Sequence, residues 1–234
     1  MPMNGRLVMA GYTHYILRRG HNGEAVFRDV DDYQRYLALV GDLKGAHRLS
    51  LQGWCLLPDE IHLLINPWRE PADLSRFMQR LGVLFSAAYN SRHGHVGTLW
   101  ESRFQCGLVQ QGHWRLACLR YLECLPGRRG VADGDERWPW TSRQARQRSA
   151  GILDPDPDYL ALGRDPGERW NQYREFTAMG VSDSEAEFIE TRVRRGQLVG
   201  NDAFIDEIER VSGKRVEPRG PGRPCKKRKK RKPC

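Results

Sequence analysis

LLPDEIHLLI, from Leu56 to Ile65, reads as the end of one strand, a tight turn at Pro58-Asp59 and a second strand. Side chains alternate faces along a strand. Ile61, Leu63 and Ile65 therefore share one face, which is apolar and belongs in a core. Glu60, His62 and Leu64 share the other face. That face sets a carboxylate beside an imidazole, about 6–7 Å apart at Cα. An oxygen and nitrogen pair of this kind can hold a divalent cation such as Mg²⁺ or Mn²⁺ at the rim of a sheet. The same spacing also fits a half-buried strand with polar residues toward solvent.

Outward from this hairpin, Leu49–Leu57 reads as its first strand, with Leu51, Gly53, Cys55 and Leu57 on one face. Residues 7–19 are strand-like, and Gly20–Gly23 is a turn. A helix is expected from Asp31 to about Gly45, where Tyr33, Tyr36, Leu37, Val40 and Leu43 recur at helical spacing. A second helix is expected from about Ala72 to Arg92, with Leu74, Phe77, Met78, Leu81, Leu84, Phe85 and Ala88 as its core stripe. His93 and His95 follow in a glycine-bearing loop, which reads as a turn rather than a ligand pair. Phe104–Val109 is a short strand, and a third helix runs from Gly112 to Leu125, ended by Pro126 and Gly127. The order implies an α+β fold: an antiparallel sheet with helices on one face. After Ser142 the chain turns linker-like, then gives two or three short helices over Glu168–Met179, Asp183–Arg194 and Asn201–Ser212. The expected organisation is a domain over residues 7–142, a linker and helical appendage over 143–212, and a basic, disordered tail over 213–234.

The chain of 234 residues carries a net charge of +9. Eleven Lys or Arg and one Glu fall between Gly213 and Cys234, so this stretch carries +10 and the rest −1. Six cysteines show no zinc-ligand spacing. No long apolar run marks a membrane span, and no leader segment is evident. A reduced, cytoplasmic protein is expected, near the nucleoid if it binds DNA.

The hairpin P-D-E-I-H-L-L resembles the P-N-H-V-H-L-L strand of the REP-associated tyrosine transposases, IS200-like members of the His-hydrophobic-His single-strand DNA nucleases. LRRGHNGEAVFRD resembles the family's Q-R-G-N-N-R-Q-x-V-F-x-D. GTLWESRFQCGLV resembles its G-x-L-W-E-G-R-F-K-x-x-L-V. RYLECLPGRRGV followed by WPWTS resembles its R-Y-I-E-L-N-P-V-R-A-G-M-V and Y-P-W-S-S elements. The likeness spans about residues 8–142 and implies a ferredoxin-like palm. It also implies cleavage and rejoining of single-stranded DNA at hairpins from palindromic repeats, through a 5′-phosphotyrosine at Tyr121. Mg²⁺ or Mn²⁺ would be held near Glu60 and His62, and the protein would act as a monomer or homodimer.

Departures from the pattern bear on that chemistry. Glu60 stands where the family's first histidine should be, with His62 matching the second. A third expected histidine falls at Tyr15, and His14, one residue off, points to the opposite face. Leu125 stands where a metal-ligating Asn is usual, one turn after Tyr121. A phenol has a free pKa near 10 and needs a cation or base to attack phosphorus. With the ligand set altered, the alternative is a catalytically inactive, transposase-derived DNA-binding protein. A further rival is an RNA-binding or structural basic protein.

DNA binding has separate candidates. Arg18, Arg19, Arg103 and Arg120, with Arg76, Arg80, Arg92, Arg128 and Arg129, could line a groove, since the planar guanidinium suits phosphate. Trp100 and Trp114 could stack on bases, though core positions suit them as well. In the tail, Arg219 and Gly222-Arg223-Pro224 resemble an AT-hook fitted to a narrow minor groove. Lys226, Lys227, Arg228, Lys229 and Lys230 begin a charge block for phosphates.

Overall fold

The structure, a computed structural model, describes residues 6–132, 138–148 and 151–216. The basic tail beyond these, with Arg219, Arg223, Lys226, Lys227, Arg228, Lys229 and Lys230, lies outside the described residues. Four strands, β1 (Thr13–Arg19), β2 (Leu49–Leu56), β3 (Glu60–Pro67) and β4 (Gln105–Val109), form an antiparallel sheet in the order β2-β3-β1-β4. Helix α1 (Val30–Ala46) joins β1 to β2, and α2 (Pro71–His93) joins β3 to β4. This is the expected α+β, ferredoxin-like arrangement. After β4 come α3 (His113–Arg128), α4 (Arg143–Arg148), α5 (Pro157–Leu160), α6 (Pro166–Ala178), α7 (Asp183–Arg194) and α8 (Asp202–Ser212).

Local chemistry sets the helix ends. The Asp29 carboxylate accepts from the Asp31 and Asp32 amides at the start of α1, where unpaired N–H groups favour negative charge. Pro71 opens α2, and Gly94, at φ 61°, closes it in the left-handed region. Ser182 accepts from the Glu185 amide at the start of α7, the first half of a capping box.

The β3 alternation is as the sequence predicts. Ile61, Leu63 and Ile65 join Ile16 in a core under α1 and α2, with Tyr36, Phe77, Leu81 and Phe85. Leu64 joins Tyr15, Leu17, Cys55 and Leu57 on the opposite face, under Leu119, Tyr121, Leu122 and Leu125 of α3. The expectation of helices on one face thus describes α1 and α2, and α3 with α7 covers the other face as well. In β2 the predicted face breaks at one point. Leu51 pairs with Ile65 and Gly53 with Leu64, so Gln52 is an extra residue in a bulge. The bulge changes the phase of the strand. Leu51 therefore packs toward α1 and α2, while Gly53 and Cys55 face α3. The Gln52 side chain is held by Thr13 Oγ1, 2.7 Å away.

Helix α3 runs three residues past its predicted end, with Pro126 inside it. A proline there removes only one hydrogen bond of the last turn. The turn closes anyway through Arg129 N–H to the Leu125 carbonyl at 2.9 Å. Both sheet edges are covered. The Trp138–Ser142 segment follows β2, with the Trp138 indole N–H donating to the Leu56 carbonyl at 2.8 Å and Trp140 stacked on Tyr33. Val199 lies along β4, its N–H donating to the Leu108 carbonyl at 2.8 Å. Among the described residues no helix is long and apolar enough to cross a membrane.

Candidate functional site

The end of β1, the start of β3, the last turns of α3 and the body of α7 converge on the α3 face of the sheet. Arg19 pairs with Glu60, and Leu17 with His62, across the β1–β3 ladder. Glu60 and His62 are both 2% exposed. Glu60 Oε2 lies 3.1 Å from His62 Nε2. A carboxylate oxygen only accepts, so Nε2 carries the proton and donates. His62 Nδ1, 3.0 Å from the Tyr15 hydroxyl, then accepts from it. Tyr15 thus stands at the third histidine position as a hydrogen-bond donor to His62, and both imidazole nitrogens are engaged. His14 points to the other face, as alternation requires, and its Nε2 accepts from the Met9 amide.

The Glu60 carboxylate is also ringed by guanidiniums. Oε1 accepts from Arg19 Nε at 2.5 Å and lies 3.5 Å from Arg194 Nη2. Oε2 lies 3.7 Å from Arg129 Nη2. Burial alone would raise the Glu60 pKa. The His62 hydrogen bond, with the charges of Arg19 and Arg129, outweighs it and holds the carboxyl well below the usual range. Burial lowers the His62 pKa, and Arg129 and Arg194 add to this against the pull of Glu60, so the imidazole is neutral at pH 7.

Tyr121 comes from α3 and is 2% exposed. Its ring centroid is 6.3 Å from that of Tyr15. Its hydroxyl donates to Glu190 Oε2 of α7 at 3.4 Å. Glu190 Oε1 in turn accepts from Arg129 at 2.9 Å and from Arg194 Nε at 2.8 Å. Burial, aided by Glu190, raises the Tyr121 pKa above that of a free phenol despite Arg129 and Arg194. The site therefore holds two carboxylates among three guanidiniums, with Tyr121 and His62 at its two ends. Positive charge is present where a divalent cation was expected, and guanidinium supplies it. Glu190 and Arg194 escaped the sequence reading, and Arg129 was read only as one of several groove arginines, not as a partner of Tyr121 or Glu60. Glu190 and Arg194 form an ordinary i, i+4 helix pair, and nothing local ties them to Tyr121.

The other predicted residues separate. Arg120 is ion-paired to Glu185 at 2.6 Å and stacked on Phe176, which joins α3 to α6 and α7. Arg19 is engaged by Glu60. Arg18, the next residue back, faces the α2 side and stacks on Trp100, 4.3 Å from the ring centroid. Arg103 is exposed. Trp100 is 6% exposed, and Trp114 packs on Phe188 of α7 with centroids 4.8 Å apart. Leu125 is a core residue at 1% exposure.

Among the described residues, the one group of three or more acidic, His or Cys side chains close enough to hold a metal is Asp29, Asp32 and His93, with ligand atoms within 4.8 Å. Arg92 already binds Asp29 at 2.7 Å and Asp32 at 2.8 Å. Its guanidinium neutralises the cluster, as Arg19 does at Glu60.

No protein-family profile matches the chain, and no curated protein is detectably similar in sequence. Among solved structures, a REP-associated tyrosine transposase bound to a REP hairpin matches with a TM-score of 0.53 and 17% identity. The match covers 68% of this chain and 93% of that one. A putative transposase from Deinococcus radiodurans R1 is 21% identical over 51% of this chain and 95% of that one, and its TM-score of 0.35 carries no argument. The chain has the fold of the REP-associated tyrosine transposase.

Proposed function

We propose that this chain is a transposase-like DNA-processing protein whose ligand is single-stranded DNA folded into hairpins, and that Tyr121 occupies the position of attack on phosphorus. The observation that carries the reading is the gathering of Tyr121, His62 and three guanidiniums on one face of the sheet. A phosphate brought to that face would meet the planar forks of Arg129 and Arg194. Glu190 is the group placed to accept the Tyr121 proton. The basic tail would add sequence-independent phosphate contacts. If it neutralises about seven phosphates, the slope of log K against log salt is near −6 on duplex DNA.

Within this reading, the geometry favours binding without cutting. Glu60 is bonded to Arg19 and His62, and His62 to Tyr15, so Mg²⁺ or Mn²⁺ would compete with the guanidinium and the Tyr15 hydroxyl for these groups. Leu125 adds no ligand. Burial keeps the phenol protonated at neutral pH.

The test is incubation with a labelled library of single-stranded hairpins and Mg²⁺ or Mn²⁺, beside Tyr121→Phe. Salt-sensitive binding with no covalent adduct on a denaturing gel is expected. An adduct that requires Tyr121 would overturn the non-cutting reading and restore strand cleavage. Glu60→His with Leu125→Asn should then raise adduct formation, because it rebuilds the ligand types of the resembled pattern.

A further inference from the structure

Arg18 differs from many of the other arginines. Arg19, Arg92, Arg115, Arg120, Arg129 and Arg194 each meet a carboxylate within 3.0 Å. Among the described residues, Arg18, Arg6 and Arg103 form no ion pair to a carboxylate. The Arg18 guanidinium is nevertheless half-buried, and its Nε is shut off from solvent with no hydrogen-bond partner. Burial lowers its pKa to about 10, and the charge of Arg6 adds to the shift. Arg103 likewise opposes the charge on Arg6. Arg6 thus feels the charge of both Arg18 and Arg103, and none of the three is ion-paired to a carboxylate among the described residues.

The surroundings keep Arg18 in place. Its guanidinium lies over the Trp100 indole, and that indole is fixed by its N–H donating to Ser86 Oγ at 2.9 Å. On the helix side it lies against Gly82, where any Cβ would collide with Arg18 Nη1. A glycine inside α2 weakens the helix relative to alanine. Here it opens the slot in which the guanidinium lies. Arg6 stacks on Phe104 at 3.9 Å in the same manner. Trp100 and Phe104 lie in the connection that enters β4, on either side of exposed Arg103 in sequence. The result is a pair of guanidiniums held flat on aromatic rings, with a third at the rim.

Resting on the reading above that the ligand is single-stranded DNA, we propose that Arg6, Arg18 and Arg103 form a phosphate-binding position for that strand, on the α2 side of the sheet and apart from Tyr121. A phosphodiester supplies the missing counter-charge, and its oxygens match the guanidinium fork. Arg18 and Arg19 are consecutive on β1, so their side chains leave the strand end on opposite faces. A strand crossing that end of the sheet passes from the Arg18 position toward the Glu60 site.

The test measures binding of a fluorescent single-stranded hairpin to the full chain across a KCl series, with Arg18→Gln, Arg103→Gln and Gly82→Ala. Arg18→Gln is expected to weaken binding roughly tenfold. It should also make the salt slope shallower by about 0.7, the loss of one phosphate contact on a single strand. Arg103→Gln should lower affinity less. Gly82→Ala keeps every charge but pushes the guanidinium from its slot. It should weaken binding while leaving the melting temperature unchanged or raised, which a purely structural role for Arg18 would not produce. If the unaltered chain binds the hairpin and all three variants match its affinity and slope, the phosphate position is wrong and the DNA reading stands. If the unaltered chain does not bind the hairpin, both fall.

Discussion

The two faces of the sheet are held by different physics. Under α1 and α2 the contacts are mainly between rings. Phe85 lies 5.0 Å from Tyr36 and 5.5 Å from Phe27. Under α3 the buried groups include Glu60, His62, Arg115, Arg120 and Glu123. The first face gains from area removed from water, which has no direction and little sensitivity to pH. The second depends on carboxylates and guanidiniums finding each other, and removing one partner leaves a buried charge. A ligand with its own charge can compete for partners on the second face, and that is where Tyr121 lies.

The largest expected effect tests the apolar face. Phe85→Ala should cost about 3–5 kcal/mol, the usual range for a buried phenylalanine truncated to alanine. Urea denaturation of the full chain measures it. A cost under about 1 kcal/mol would mean that the ring cluster is not what holds this face.

A smaller effect probes the exception on the same face. His14 is fully buried, and burial lowers its pKa to about 4. Its folded pKa lies below the unfolded value near 6.5, so the unfolded chain binds the proton first. The stabilisation is fully present above about pH 6.5 and is lost as pH falls toward 4. Between pH 6.5 and 5 the loss should be about 2 kcal/mol from this group. His62 is lowered in the same sense, so the test is a difference: His14→Phe should flatten the stability curve in this window relative to the unaltered chain. Equal slopes would show that His14 does not titrate as a buried neutral group.

The same contrast explains what could be read from the sequence. The β3 alternation was legible because it is local, and it placed Glu60 and His62 on a common face beside β1. The stripes of α1 and α2 were legible for the same reason. The Gln52 bulge was not, because the group that holds the Gln52 side chain is the Thr13 hydroxyl, on a strand 39 residues away. Helix α3 outlasts Pro126 through its own backbone bond from Arg129 to Leu125, and Arg128 and Arg129 there meet Asp183 and Glu190 on a helix that sequence order separates from it. The candidate site followed the same rule. Tyr121 was visible in a motif, whereas its partner Glu190 lies 69 residues downstream. Motif spacing identified which side chains share a face. It did not show that guanidiniums from three other elements fill the space between them.

The smallest expected effect falls on Tyr121 itself. Its hydroxyl meets Glu190 at 3.4 Å, near the outer limit for a hydrogen bond. Glu190 keeps Arg129 and Arg194 when that contact is lost. Tyr121→Phe also retains the ring against Tyr15, and with it the buried area. Its cost should therefore stay under about 1 kcal/mol, within the net worth of one ordinary hydrogen bond. Thermal or urea unfolding of the variant checks this. A cost of several kcal/mol would assign the hydroxyl a structural role inside the charged face. The loss of an adduct in that variant would then report unfolding rather than a missing nucleophile. A negligible cost makes Tyr121→Phe a clean control, because any difference between it and the unaltered chain in the adduct assay then reports the hydroxyl and not the fold.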